Sequence, residues 1–95
     1  MIKVIIERHI QVSKESELLD FQRQLRTGAM KQMGYYSGET LRSIDDPSVW
    51  LSISSWSIKD AWLKWQNNPE RQEITSKMES ILTGPTKISI FESPF

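Results

Sequence analysis

The sequence predicts an α+β fold of the ferredoxin-like kind, a split β-α-β-β-α-β chain around one antiparallel four-stranded sheet. Three observations lead there. A strand of period-two alternation opens the chain, an amphipathic helix follows, and a hairpin, a broken helical segment and a closing strand complete the order. The 95 residues suit one domain, 1–95, with no linker, internal repeat or low-complexity segment dividing it.

The first strand is read over Ile2 to Ile10. Ile2, Val4, Ile6, Arg8 and Ile10 fall on one side, with Lys3, Ile5, Glu7 and His9 on the other. Ser13 is the candidate N-cap of the first helix, whose stripe of Leu18, Phe21, Leu25 and Ala29 recurs at spacings of three and four and ends near Gln32. Gly34 is its stop. Gly28, inside that helix, costs about 1 kcal/mol relative to alanine, so either it leaves room for a neighbour or ligand or the helix simply tolerates it.

Tyr35 to Ser43 and Val49 to Trp56 flank the turn cluster Asp45-Asp46-Pro47-Ser48 and predict an antiparallel hairpin. Ser57, followed three residues later by Asp60, reads as a variant capping box that starts a helix near Ile58. Asn68-Pro69 repeats the start signal, because asparagine caps well and proline is tolerated at the first helical position. The segment runs to Leu82, Gly84-Pro85 ends it, and Thr86 to Glu92 is the last strand, with Ile88 and Ile90 in phase.

Composition removes whole classes of function. Lysine plus arginine equals aspartate plus glutamate at 12 each, so no general field draws in nucleic acid or an anionic membrane. There is no cysteine and a single histidine, which leaves no disulfide framework, no thiolate redox site and no expected metal site. No phosphate-cradling glycine loop and no local nucleophile motif occurs. Val4-Ile5-Ile6 is the longest aliphatic run, far short of a membrane helix, and the N-terminus lacks a signal-peptide core. A soluble, unprocessed, cytoplasmic chain is the expectation.

The sheet is expected to have unlike faces. One is aliphatic enough to lie under helices; the other carries Trp50, His9, Ile5 and Phe91 among Ser52, Ser54, Glu7, Lys3 and Ser89. That mixture is too apolar to leave wet and too polar for an ordinary core, so a partner sheet is expected against it.

Three tryptophans, Trp56, Trp62 and Trp65, fall within ten residues beside the helix start. They make an aromatic wall, either a packed core seam or the lining of a pocket for a flat apolar molecule. The stretch from Trp56 through Ala61, Trp62 and Trp65 to Pro69-Glu70-Arg71 resembles the antibiotic biosynthesis monooxygenase (ABM) family, as do the opening Ile2 to Ile10, the middle from Gly34-Tyr35 through Gly38-Glu39-Thr40 to Asp45-Asp46-Pro47, and the closing Pro85 to Glu92. Met33 before Gly34, where family members often carry proline, is a departure. The resemblance implies sheets paired into a dimeric α+β barrel, hence a C2 homodimer through the sheet face. It also implies cofactor-free oxygenation of a small aromatic, phenolic or quinol-type substrate.

Such chemistry requires a protein to hold the ring, favour its anion and keep water from the intermediate. The candidates are Arg8 as the cation and Trp65 as the reactive wall, with Trp62, Tyr36, Asn67 and Arg71 contacting the substrate; no metal and no cofactor is expected. Each has a plainer alternative: core packing for Trp62 and Trp65, an ion pair with Glu39 or Glu92 or a reach to solvent for Arg8, and a solvated helix position for Arg71. Tyr35 and Tyr36 point to opposite faces, so at most one enters a given pocket. His9 lies on the face opposite Arg8, at the expected dimer interface. Haem-degrading relatives carry asparagine, tryptophan and an iron-binding histidine where this chain has Arg8, Trp65 and Thr75, which argues against haem degradation. A non-catalytic small-molecule-binding or dimerisation module of the same fold is the rival reading.

Overall fold

The computed structural model describes residues Met1–Phe95. Strand β1 (Ile2–His9) leads through a single turn of 3-10 helix (Val12–Lys14) into helix α1 (Glu15–Met30). The hairpin is β2 (Tyr35–Arg42) and β3 (Val49–Trp56). Helices α2 (Lys59–Gln66) and α3 (Pro69–Met78) and a last 3-10 turn (Glu79–Ile81) precede β4 (Lys87–Glu92). The sheet order is β2-β3-β1-β4, every pair antiparallel, with the helices on one face. This is the split β-α-β-β-α-β arrangement with the four-stranded antiparallel sheet that the alternation foretold.

Two helix starts differ from the expectation. Ser13 is not the cap of α1, which begins two residues later from Lys14 with no side-chain capping bond. Ser57 does not cap α2 either, since Ile58 holds the N-cap position in extended geometry. The reason is tertiary. The Ser57 N–H donates to the Gly34 carbonyl at 2.7 Å, which keeps Ser57 joined to the end of α1 rather than free to close a capping box. Gly34 has φ +90°, and a Cβ there would overlap Ser57 and Ala61, so this crossing of chain segments needs glycine. Asn68 behaves as predicted: its Oδ1 accepts the Glu70 N–H at 2.8 Å with Pro69 at the first helical position.

Strand pairing reverses the expected faces of β3. Partners across an antiparallel ladder share a face, and Arg8 lies opposite Trp50, Ile6 opposite Ser52, Val4 opposite Ser54 and Ile2 opposite Trp56. Trp50, Ser52 and Ser54 therefore lie under the helices, not on the open face with His9. The large rings decide the register: Trp50 and Trp56 are almost wholly buried, and with both indoles inward the alternation carries the two serines in with them. The open face holds Leu51 and Ile53 from β3 beside Ile5, Glu7 and His9 from β1, Leu41 from β2 and Phe91 from β4. It is more aliphatic than the alternation alone suggested.

The core centres on Trp56, with no exposed surface. Tyr35 meets it edge-on at 5.3 Å between ring centroids, and Trp62 does so at 5.9 Å. Val4, Leu18, Met78 and Ile81 pack around them. The Gly28 question is answered by Trp65: a Cβ at Gly28 would land on the Trp65 ring and come within 3.2 Å of Glu70 Oε1. The glycine lets α1 and the tryptophan approach.

Candidate active site

Two adjoining hollows lie between the helices and the sheet. The smaller, about 60 Å³, is walled by Tyr35, Trp56, Trp62 and Trp65, with Gln22 from α1 and Ser52 and Ser54 from β3 adding polar groups. The larger, about 480 Å³, is bordered by Arg8, Thr75, Met78, Leu82 and Ile88. Arg71 borders both.

The local reasons for this placement are simple. Arg8 continues the inward row of Ile2, Val4 and Ile6, so the pleat points its side chain beneath the helices. Arg71 is the third residue of α3, and the Asn68-Pro69 start fixes the turn that projects it inward. Its Cζ lies 5.0 Å from the centre of the Trp62 ring, within cation–π range. Trp62 and Trp65, three apart on α2, share the inward side of that helix.

The electrostatics are lopsided. Arg8 is 3% exposed and Arg71 7%, and neither guanidinium forms an ion pair. Arg8 thus neither joins Glu39 or Glu92 nor reaches solvent, and Arg71 is not the solvated helix residue its position suggested. Burial, and then the charge of Arg71, lower the pKa of Arg8 to about 10, which leaves it cationic at neutral pH. Burial lowers that of Arg71 too. Three buried side-chain nitrogens lack any acceptor: Arg8 Nη1, Gln22 Nε2 and Trp62 Nε1. All three are N–H donors, so the region offers hydrogen bonds and positive charge that nothing in the chain receives.

The structure brings four of the six sequence candidates, Arg8, Trp62, Trp65 and Arg71, to the hollows. Two candidates stand elsewhere. Tyr36 is 61% exposed at the irregularity between Tyr35 and Ser37, and this bulge turns it outward while Tyr35 takes the place against Trp56. Asn67 is exposed and donates its Nδ2–H to the Leu63 carbonyl at 2.9 Å, closing the end of α2. Gln22 was missed, although its signal was available: it interrupts the buried stripe of α1 four residues after Leu18 and three before Leu25. Ser52 and Ser54 were placed on the wrong face. His9 lies across the sheet from Arg8, and its Nε2 and Glu7 Oε2 are 2.9 Å apart.

The comparisons agree with this architecture. A conserved protein from Methanosarcina mazei superposes with a TM-score of 0.89 at 16% identity, covering 97% of this chain and 91% of that one. SnoaB, a cofactor-independent oxygenase from Streptomyces nogalater, superposes at 0.85 with 14% identity, covering 99% and 93%. In sequence, the protein SchA of Streptomyces halstedii is 24% identical over 83 residues, 87% of this chain but 22% of its own length. The chain therefore spans about a fifth of the curated relatives it matches. The profile described as antibiotic biosynthesis monooxygenase matches residues 1–77, a span that includes both arginines and all four tryptophans, and the chain belongs to that family.

Proposed function

We propose that this protein is a cofactor-independent monooxygenase acting on a small aromatic, phenolic or quinol-type substrate, and that it works in the cytoplasm as a homodimer paired through the open sheet face. The observation that carries the reading is the aromatic-walled hollow beside two buried, unpaired guanidinium groups. Trp62 and Trp65 are core residues, almost wholly buried, that also border the hollow, and a ring would lie against them there. Arg8 and Arg71 favour the phenolate over the phenol, because opposite charge in a poorly hydrated site stabilises the anion. The phenolate gives an electron to dioxygen, the radical pair joins in a new C–O bond, and loss of water leaves the carbonyl. One oxygen atom stays on the product, the other leaves as water, and all electrons come from the substrate.

The open face supports the dimer. Ile5, Leu51 and Ile53 are half-buried there, Leu41 is 43% exposed and Phe91 55%, an apolar surface that a second sheet would cover. The substrate's proton has no histidine to receive it within the hollows, since His9 is on that opposite face. This favours the second reading, a non-catalytic binding module of the same fold.

Dioxygen uptake decides between them. Metal-stripped protein is given anthrones, hydroquinones and catechols, with boiled protein as the autoxidation control. Uptake above the control with a single product supports the oxygenase. No uptake, at concentrations where the same compounds quench tryptophan fluorescence, supports the binding module.

A further inference from the structure

We propose that the ligand of this site is a single-ring aromatic carrying a carboxylate in addition to its phenol, with the carboxylate held between Arg8 and Arg71. The inference rests on the aromatic hollow being the substrate site and adds the charge and size of what enters it.

Charge comes first. A phenolate supplies one negative charge, and only after its proton has left, whereas the site holds two buried cations with no carboxylate within ion-pair distance of either. Glu39 and Glu79 reach the rims of the smaller and larger hollows respectively, but neither comes within ion-pair distance of Arg8 or Arg71. A phenol alone would leave both guanidinium groups uncompensated in the resting complex, a costly arrangement in a buried site. A ring carboxylate is anionic from the start, and its two coplanar oxygens match the fork of a guanidinium.

Position agrees with charge. Arg8 and Arg71 both border the larger hollow, and Arg71 alone also borders the aromatic one. A ring against Trp62 and Trp65 with its carboxylate directed past Arg71 spans the two. Gln22 and Trp62 line the aromatic hollow and Arg8 the larger one, so the three side chains with a donor left without an acceptor stand along the path of the ring and its carboxylate. Size sets the ring count. The aromatic hollow is the smaller of the two, about 60 Å³ against about 480 Å³, and this favours a single substituted ring over a fused polycycle against the tryptophans.

Anaerobic calorimetry on the full chain tests this with a dihydroxybenzoate and the corresponding dihydroxybenzamide, which differ in the carboxylate alone. The acid is expected to bind tighter than the amide by about tenfold or more, as charge-assisted bonds to a buried guanidinium require. The preference should vanish in Arg8→Gln and persist in part in Arg8→Lys. Equal affinity for acid and amide in the native protein, or no saturable binding of the acid, overturns the proposal even if both variants fail to fold. Competition by inorganic phosphate as strong as the acid's own binding also overturns it, marking a general oxyanion site. Excluding dioxygen separates the two readings. Acid-over-amide preference with no later oxygen uptake would sink the oxygenase alone; uptake with neutral quinols and no such preference would sink the carboxylate proposal alone.

Discussion

Under the helices, β3 presents Ser52 and Ser54 between Trp50 and Trp56, with Arg8 on the neighbouring strand; on its outward side the same strand presents Leu51 and Ile53, close to Ile5, Leu41 and Phe91. The covered face sets its polar groups within a buried apolar row, Ile2, Val4 and Ile6 of β1 with Trp50 and Trp56 of β3, whereas the open face sets its aliphatic side chains among Lys3, Glu7 and His9. On the proposed function, the polar groups under the helices serve a ligand, and the open face carries apolar surface suited to a second sheet.

The strongest way to break that contrast is a charge in the open face. In the proposed dimer, Leu51→Asp would bury one uncompensated charge from each copy against the partner sheet, a penalty of about 3–5 kcal/mol. Sedimentation is expected to show a monomer whose tryptophan emission is unchanged; a dimer that persists would mean the sheet face is not the contact.

Next in size is Arg8→Met, which removes an unpaired buried cation. The fall in its pKa to about 10 corresponds to about 3 kcal/mol of destabilisation, so the variant is expected to be more stable by up to that amount while losing anion binding. The pH dependence has a definite sign. The folded state holds this proton less tightly than the unfolded one, so the cost is full below pH about 10 and fades as pH rises above it, until the unfolded chain also releases the proton. Denaturant titrations should find the gap between variant and native protein closing over that range. A variant less stable than the native protein at neutral pH would mean that Arg8 has a partner in solution.

Gly28→Ala probes the aromatic wall from behind. The added methyl strikes Trp65, and overpacking of this sort costs about 1–3 kcal/mol, only partly offset by about 1 kcal/mol of helix propensity. A lower melting temperature with shifted tryptophan fluorescence is expected, together with weaker ligand binding. Asn68→Ala gives the smallest effect, about 1 kcal/mol from a lost cap. Because the cap orients the turn bearing Arg71, ligand affinity should fall with it; stability lost with affinity intact would show that α3 is held by packing alone.

The sequence readings succeed or fail according to the range of the interaction behind them. Asn68-Pro69 works because cap and proline act within one turn, and the limits of β3 follow from its own alternation and the turn before it. Ser57 misleads because its backbone N–H is committed to Gly34, and Ser13 because the chain spends one 3-10 turn before α1 begins. Tyr36 was preferred to Tyr35 with nothing local to separate them, and a bulge opposite β3 makes the choice. Gln22 could have been found, as a polar residue within an apolar stripe.

By itself the sequence determined the order of elements, the inward row that carries Arg8, the shared side of Trp62 and Trp65, and the absence of cysteine; these follow from periodicity and composition, which each segment contains within itself. Only the tertiary structure decided which side of β3 faces the helices, that Arg8 and Arg71 border one hollow, and that neither forms an ion pair. Those depend on register and packing between segments distant in the chain, where the burial of two indole rings outweighs the aliphatic preference of any single strand.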